Sequence, residues 1–283
     1  MPYINTHDDV DLYVKDWGSG RPIVLIHGWP LNADSWEDQA LALAEAGHRV
    51  IAYDRRGFGR SSQPWDGYDY DTLADDLSQV LEVTGVDDAT LVGFSMGGGE
   101  IARYMSRHGG KRVRSVALVA SVVPYLLKDD SNPDGVDAAI FDDQMKAPIR
   151  KDRAAFFAHF AKAFYGVGFI SSPVSEQVLH HFERLASQAG IKGVLDCIDA
   201  FGKTDFRADL AAFTVPTLIV HGTADQTVPI EISGRAAARA IPHAQLIEYE
   251  GEPHGLTVTA KERLTRDLIR FISNTDQPLN GRL

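Results

Sequence analysis

Short, nearly unbroken apolar runs rich in β-branched residues recur along this chain, and most are followed by a longer helical pattern. The clearest are IVLIH, SVALVA and TLIVH. A strand that is apolar at almost every position is covered on both faces, which points to a mostly parallel sheet packed between helices. The pattern predicts strands over Val10–Trp17, Ile23–His27, Val50–Asp54, Thr90–Phe94, Val113–Ala120, Thr217–His221 and Gln245–Tyr249. It predicts helices over Ser35–Ala46, Tyr70–Thr84, Met96–His108, Glu231–Ala240 and Ala260–Ile272. The fold class is α/β.

One stretch breaks this alternation. From Val122 to Asp209 there is no strand-like run, while aromatic helical patterns such as RAAFFAHFAKAF appear. Helix inserted between two sheet strands is read as a cap over the carboxyl ends of the strands, where open α/β sheets bind ligands. The expected organisation is therefore a core of residues 1–121 and 210–273, a helical cap over 122–209 and a polar tail over 274–283. Phe156, Phe157, Phe160 and Phe164 fall on one helix face, which suits either core packing or a pocket wall.

Charge narrows the function classes. The 283 residues carry 28 Lys and Arg against 39 Asp and Glu, a formal net charge of −11. Such an acidic chain repels phosphate backbones and anionic lipid heads, so neither nucleic acid nor membrane is an expected partner. The longest apolar run, Val116–Val123, is too short to span a bilayer. The opening MPYINTHDDV contains no apolar stretch of the signal-peptide kind. Cys197 is the only cysteine and cannot form an internal disulfide. A cytoplasmic location is expected. His180-His181 has no third ligand at metal spacing, so no metal site is expected.

The chemistry concentrates in Gly93-Phe94-Ser95-Met96-Gly97, where the run ATLVGF meets a helical pattern. This is G-x-S-x-G in the strand–turn–helix setting its mechanism needs: a sharp turn exposes the serine, and the glycines remove side chains that would clash. At this composition the bare string arises by chance roughly once in ten such chains, so the setting carries the argument. A serine at its ordinary pKa is a poor nucleophile and needs an adjacent base. In this setting the acid and then the base follow the serine on later strand-end loops. TLIVH leads into Gly222-Thr223-Ala224-Asp225, and QLIEY into Glu250-Gly251-Glu252-Pro253-His254. Ser95, Asp225 and His254 meet the required order. Asp54 and Asp205 are rivals for the acid role. Asp54 precedes the serine, and with Arg55 it is read as bracing its own turn.

Acyl transfer also needs donors for the developing oxyanion. The Met96 N–H opens a helix, where the dipole favours negative charge. A second donor is the N–H of Trp29 in His27-Gly28-Trp29-Pro30, since Pro30 has none. His27 is read as a brace for that loop. Pro30 restrains the backbone beside Trp29 and could aim the Trp29 carbonyl at a peroxide hydroxyl, which makes Pro30 a candidate for peroxide selectivity. Gly57-Phe58-Gly59 lacks the third glycine of a dinucleotide loop, so a Rossmann reading is set aside.

Taken together, YVKDWGSG, HGWPL, YDRRGFGRSS, GFSMGGGE, KTDF, HGTADQTVP and PHG resemble the α/β-hydrolase superfamily. More narrowly they are similar to its cofactor-free bacterial arylesterases, perhydrolases and non-haem chloroperoxidases. The resemblance runs from Val10 to Ser273 and is weakest over Leu126–Arg150. It implies an eight-stranded, mostly parallel sheet with helices on both faces and a helical cap. It also implies a triad of Ser95, Asp225 and His254 and an oxyanion hole from Trp29 and Met96. By the same resemblance, Phe94, Val122, Phe160, Phe164, Phe201, Val228 and Ile230 would line the acyl pocket. The implied activity is hydrolysis of small aryl or short-chain esters through an acyl-enzyme, with hydrogen peroxide as an alternative acceptor and no cofactor. Homo-oligomers built from trimers are also implied. Other readings are a lactonase or γ-lactamase, another serine-triad hydrolase, and a non-catalytic hydrolase fold that binds a small ligand.

Overall fold

A computed structural model describes residues 2–168 and 172–275. Its strands are β1 (Tyr3–Asn5), β2 (Asp11–Gly18), β3 (Pro22–Ile26), β4 (Arg49–Tyr53), β5 (Ala89–Phe94), β6 (Val113–Val119), β7 (Thr217–Gly222) and β8 (Gln245–Tyr249). They form one sheet in the order β1-β2-β4-β3-β5-β6-β7-β8, antiparallel at β1–β2 and β2–β4 and parallel elsewhere. The eight-stranded, mostly parallel sheet expected from the motifs is borne out. β1 is the strand that periodicity did not predict: three residues, of which Ile4 alone is buried.

Every residue of β5 and of β7 is buried, as strands covered on both faces require. The sheet lies between helices α1 (Glu37–Glu45), α2 (Tyr70–Val83), α3 (Met96–Arg107), α8 (Gly234–Ala240) and α10 (Lys261–Thr275). α1 packs with α10, and α2 with α3. Local chemistry sets several helix starts. The Asp69 carboxylate accepts the Thr72 N–H at 3.0 Å and caps α2. α8 begins at Gly234, three residues later than its sequence pattern suggested, because Val228–Ser233 are spent on a turn.

Between β6 and β7 the described residues hold no strand of the sheet. They form a π-helical turn over Ile140–Lys146 and helices α4 (Ala147–Lys151), α5 (Arg153–Phe164), α6 (Glu176–Ser187) and α7 (Ile191–Lys203). A short helix, α9 (Leu256–Thr259), follows β8. Of the segment read as a tail, Asn274 and Thr275 continue α10, and 276–283 lie outside the described residues. No helix among the described residues is long and apolar enough to cross a membrane.

Candidate active site

Three loops meet at the carboxyl ends of the parallel strands. The first follows β5. Ser95 sits between β5 and α3 with φ 53° and ψ −118°, a region that L side chains rarely occupy outside functional turns. Two flanking glycines make the turn sterically open. A Cβ on Gly97 would stand 2.5 Å from the Ile26 carbonyl oxygen, and one on Gly93 would stand 2.6 Å from that of Gly97.

The second loop follows β8 and carries His254, whose Nε2 lies 3.0 Å from Ser95 Oγ. The third follows β7 and carries Asp225. Its Oδ2 accepts the His254 Nδ1–H at 2.6 Å, and its Oδ1 accepts the N–H groups of Thr227 and Val228 at 2.9 and 2.8 Å. With Nδ1 donating to Asp225, the neutral His254 ring presents the Nε2 lone pair to the serine hydroxyl, the arrangement a general base requires. All three side chains are buried. Burial alone would raise the Asp225 carboxyl. The opposing pull of His254 and His221 outweighs it and holds the group below the usual carboxylate range.

The rival acid is occupied elsewhere. Asp54 accepts the Ala33 N–H at 2.9 Å and the Arg60 N–H and Nε–H at 2.7 and 2.8 Å, fixing the turn after β4. Arg55 donates to Glu100 at 2.8 Å and to the His27 carbonyl at 2.8 Å. His27 Nε2 accepts the Arg55 N–H at 3.0 Å, so its Nδ1–H donates to the Gly28 carbonyl at 2.9 Å. Burial and the Arg55 charge keep this imidazole well below its ordinary range, hence neutral. It braces the loop after β3. Asp205 is tied to Arg207.

That braced loop presents Trp29 beside Ser95, and both line one cavity of about 260 Å³. Met96 is the first residue of α3, where the early N–H groups have no intrahelical acceptor. The Trp29–Pro30 peptide is cis and Pro30 is buried. The Trp29 ring packs against Phe156, Phe157, Phe160 and Phe201, and its indole N–H donates to the Val194 carbonyl of α7 at 3.0 Å. The loop beside the serine is thereby joined to the helices between β6 and β7.

The cavity wall divides the residues expected there into two groups. Val122, Phe160, Phe201 and Val228 stand on it. Phe94, Phe164 and Ile230 do not. Phe94 and Phe164 are packed behind it, with their rings 5.1 and 5.0 Å from the His254 ring. Helix α5 explains part of this division: Phe156 and Phe160 face the cavity, whereas Phe157, Ala161 and Phe164 are buried in the core. Sequence reasoning missed Ile140, Phe141, Gln144 and Met145, all on the wall and all from the π-helical turn. Their spacing of four and five residues places them on one side of that wider helix. Exposed Gln144, His159 and Gln226 add polar groups to an otherwise apolar lining. Among the described residues, no three His, Cys, Asp or Glu side chains gather into a group able to hold a metal ion.

An elbow serine, a strand-end histidine and a strand-end aspartate on this sheet define the alpha/beta hydrolase architecture. The chain belongs to the alpha/beta hydrolase family, whose sequence profile matches residues 21–259. Its place within the family is narrower. It is 46% identical to a non-haem chloroperoxidase of Kitasatospora aureofaciens, over 96% of this chain and all of that one. It is 43% identical to a bifunctional esterase/perhydrolase of Acinetobacter calcoaceticus, over 96% of this chain and 99% of that one. Among solved structures it is similar to a bromoperoxidase from Bacillus anthracis. That match has a TM-score of 0.92 and 47% identity, covering 96% of this chain and 98% of the other. The resemblance drawn from the motifs is borne out.

Proposed function

We propose that this protein is a serine esterase of small aryl or short-chain esters, with hydrogen peroxide as a second acyl acceptor. The observation that carries the reading is the hydrogen-bonded series Asp225–His254–Ser95 opening into an apolar cavity of about 260 Å³. In this mechanism Ser95 Oγ attacks the ester carbonyl carbon while His254 Nε2 takes the hydroxyl proton. The oxyanion is met by the N–H groups of Trp29 and Met96, each such donor being worth about 2.7–4 kcal/mol. Collapse breaks the acyl–oxygen bond, and His254 returns the proton to the departing alcohol. Water then attacks the acyl-enzyme with His254 as base, releasing the carboxylic acid. If hydrogen peroxide attacks instead, the product is a peracid, which can oxidise halide while being reduced to the acid.

The names of the relatives support both halves of this reading, since esterase, perhydrolase and chloroperoxidase all occur among them. The cavity volume suits a small acyl group, and its aromatic wall suits an aryl ester. Pro30 is assigned a part in peroxide selection through its restraint on Trp29. A homo-oligomer built from trimers and a cytoplasmic location belong to the same reading. The acidic charge and the single, buried cysteine agree with that location. The test is a panel of p-nitrophenyl esters assayed beside peracid formation, in the parent and in Ser95→Ala. Both activities are expected to disappear together; peracid formation that survives in Ser95→Ala excludes the acyl-enzyme route.

A further inference from the structure

The Asp225 carboxylate lies between two histidines, and the mechanism above uses one. The other, His221, is the next-to-last residue of β7 and is fully buried. Its Nε2 lies 2.9 Å from the Val228 carbonyl and 3.2 Å from Asp225 Oδ2. Both neighbours are acceptors, so the proton resides on Nε2 and is shared between them. Nδ1 then carries no proton and has no partner among the described residues. Gly234 at the start of α8 closes that side: a Cβ there would stand 2.8 Å from Nδ1.

We propose that His221 is a positioning residue for the triad, an Nε2–H donor that holds the Asp225 carboxylate and ties the Asp225–Val228 turn to the end of β7. The inference rests on the triad reading given above. Asp225 uses Oδ1 for the N–H groups of Thr227 and Val228, and it uses Oδ2 for His254. His221 completes the shell at Oδ2 and, through the Val228 carbonyl, closes the turn from the opposite end. The turn cannot rotate the carboxylate away from His254 without breaking bonds at both ends. Val228 also stands on the cavity wall, so one ring fixes the acid and part of the pocket.

The charges around the ring fit this role. β8 places Glu248 opposite His221 in register, and the Glu248 carboxylate is already taken by Arg235 of α8 at 2.6 and 2.7 Å. Asp225 and, across it, His254 complete the ionisable surroundings. Sequence reading took His221 as the end of a strand. The available signal was a histidine closing the otherwise apolar run TLIVH, four residues before the acid.

The test compares His221→Phe, which keeps a ring and removes the donor, with His221→Gln, which returns an N–H near the Nε2 position. His221→Phe is expected to lower kcat on p-nitrophenyl acetate about tenfold, the scale of one hydrogen bond to a charged group, with KM within about twofold. It should also move the acid limb of kcat/KM to higher pH, because a carboxylate with one donor fewer pulls harder on the His254 proton. His221→Gln is expected to recover most of the loss. Parental kcat and pH profile in a folded His221→Phe protein, or equal losses in both variants, overturn the inference. Should His221→Phe fail to fold, 15N resonances of the His221 ring in the parent decide: a protonated Nε2 beside a bare Nδ1 supports it, and a protonated Nδ1 overturns it. An inactive Ser95→Ala beside a silent His221→Phe removes this inference alone, whereas an active Ser95→Ala removes the triad reading beneath it.

Discussion

The strand-end loops and the helical segment above them are built by different forces. At the strand ends each proposed catalytic group lies within a few residues of a parallel strand, and hydrogen bonds fix its direction. The Ser95 N–H donates to the Val119 carbonyl at 2.9 Å, and Asp225 is gripped by two amides of its own turn. In the helical segment the site-facing contacts are ring against ring: Phe156 and Phe160 stack 5.7 Å apart, and Trp29 meets both edge-on. Hydrogen bonds are directional and fail steeply with angle, whereas apolar contacts tolerate repacking of similar volume. Geometry-critical chemistry therefore falls to the loops, and adjustable fit to the helices. Trp29 belongs to both, with its backbone at the end of β3 and its ring among the phenylalanines.

The sharpest way to break this division is at the serine. Ser95→Ala is expected to leave the fold intact and lower kcat on p-nitrophenyl acetate about a million-fold, the scale known for removal of a triad nucleophile. Residual turnover near the parental rate, after control for contaminating esterase, removes Ser95 from the chemistry.

Asp225→Asn comes next. Losing the charge that orients His254 should cost about four orders of magnitude in kcat. Asp54→Asn, which disturbs a turn and not the triad, should act mainly on stability; if it is the worse catalytic lesion, the acid is misassigned. A pH dependence follows from the same carboxylate. Because His254 and His221 hold Asp225 below the usual carboxylate range, its folded-state pKa is depressed relative to the unfolded chain. A depressed carboxylate contributes stability that is fully present above its unfolded pKa of about 3.9 and is lost as pH falls through the lower folded value. The difference in thermal midpoint between the parent and Asp225→Asn should thus be flat above about pH 5 and shrink below about pH 4. A difference that grows on acidification contradicts the assignment.

In the helical segment the expected change is smaller and of another kind. Phe160→Ala removes a cavity-facing ring that touches Trp29, Phe164 and Phe182. It should lower kcat/KM for an aryl ester about tenfold or somewhat more, mainly through KM, the range for lost apolar contact in a binding pocket. The acetyl ester of a small alcohol should suffer less. Equal loss of kcat on both substrates places Phe160 with the loops.

The same division explains what could be read from the sequence. The hydrogen-bonded series Ser95, His254 and Asp225 was legible because each member lies within about five residues of the end of a strand-like run, so local pattern and chain order locate the three together. The pocket was legible only in part. Val122, Phe160, Phe201 and Val228 reach the wall, while Phe94, Phe164 and Ile230 do not. Which face of a helix meets a cavity depends on how helices cross, and periodicity reports only that one face is apolar. RAAFFAHFAKAF is aromatic enough to feed both: Phe156 and Phe160 go to the cavity, Phe157 and Phe164 to the core. Ile140, Phe141, Gln144 and Met145 were invisible for a further reason. They lie in a π-helical turn whose wider period no search at 3.6 residues detects, within the stretch where the resemblance was weakest. β1 escaped because three residues are too few to show alternation.

The smallest expected effect lies where the two regions meet. Pro30 follows Trp29, has no N–H to offer the pocket, and fixes its own φ near −65°. In the perhydrolysis reading, water and peroxide compete for one acyl-enzyme, with His254 as base for both. Peroxide differs from water by a second hydroxyl, and selection needs an acceptor for it that water leaves unused. The Trp29 carbonyl, held in place by Pro30 on one side and by the packed indole on the other, is the proposed acceptor. One such hydrogen bond contributes about 0.5–1.5 kcal/mol, a preference of about two- to twelvefold. Pro30→Leu should therefore lower the ratio of peracid formation to ester hydrolysis by about that factor while hydrolysis itself persists. The measurement is peracetic acid formation from acetate and peroxide, beside p-nitrophenyl acetate hydrolysis, in parent and variant. A fall in both by the same proportion makes Pro30 part of the scaffold that seats Trp29. A fall in the ratio alone shows that the backbone at the end of β3 distinguishes the two nucleophiles.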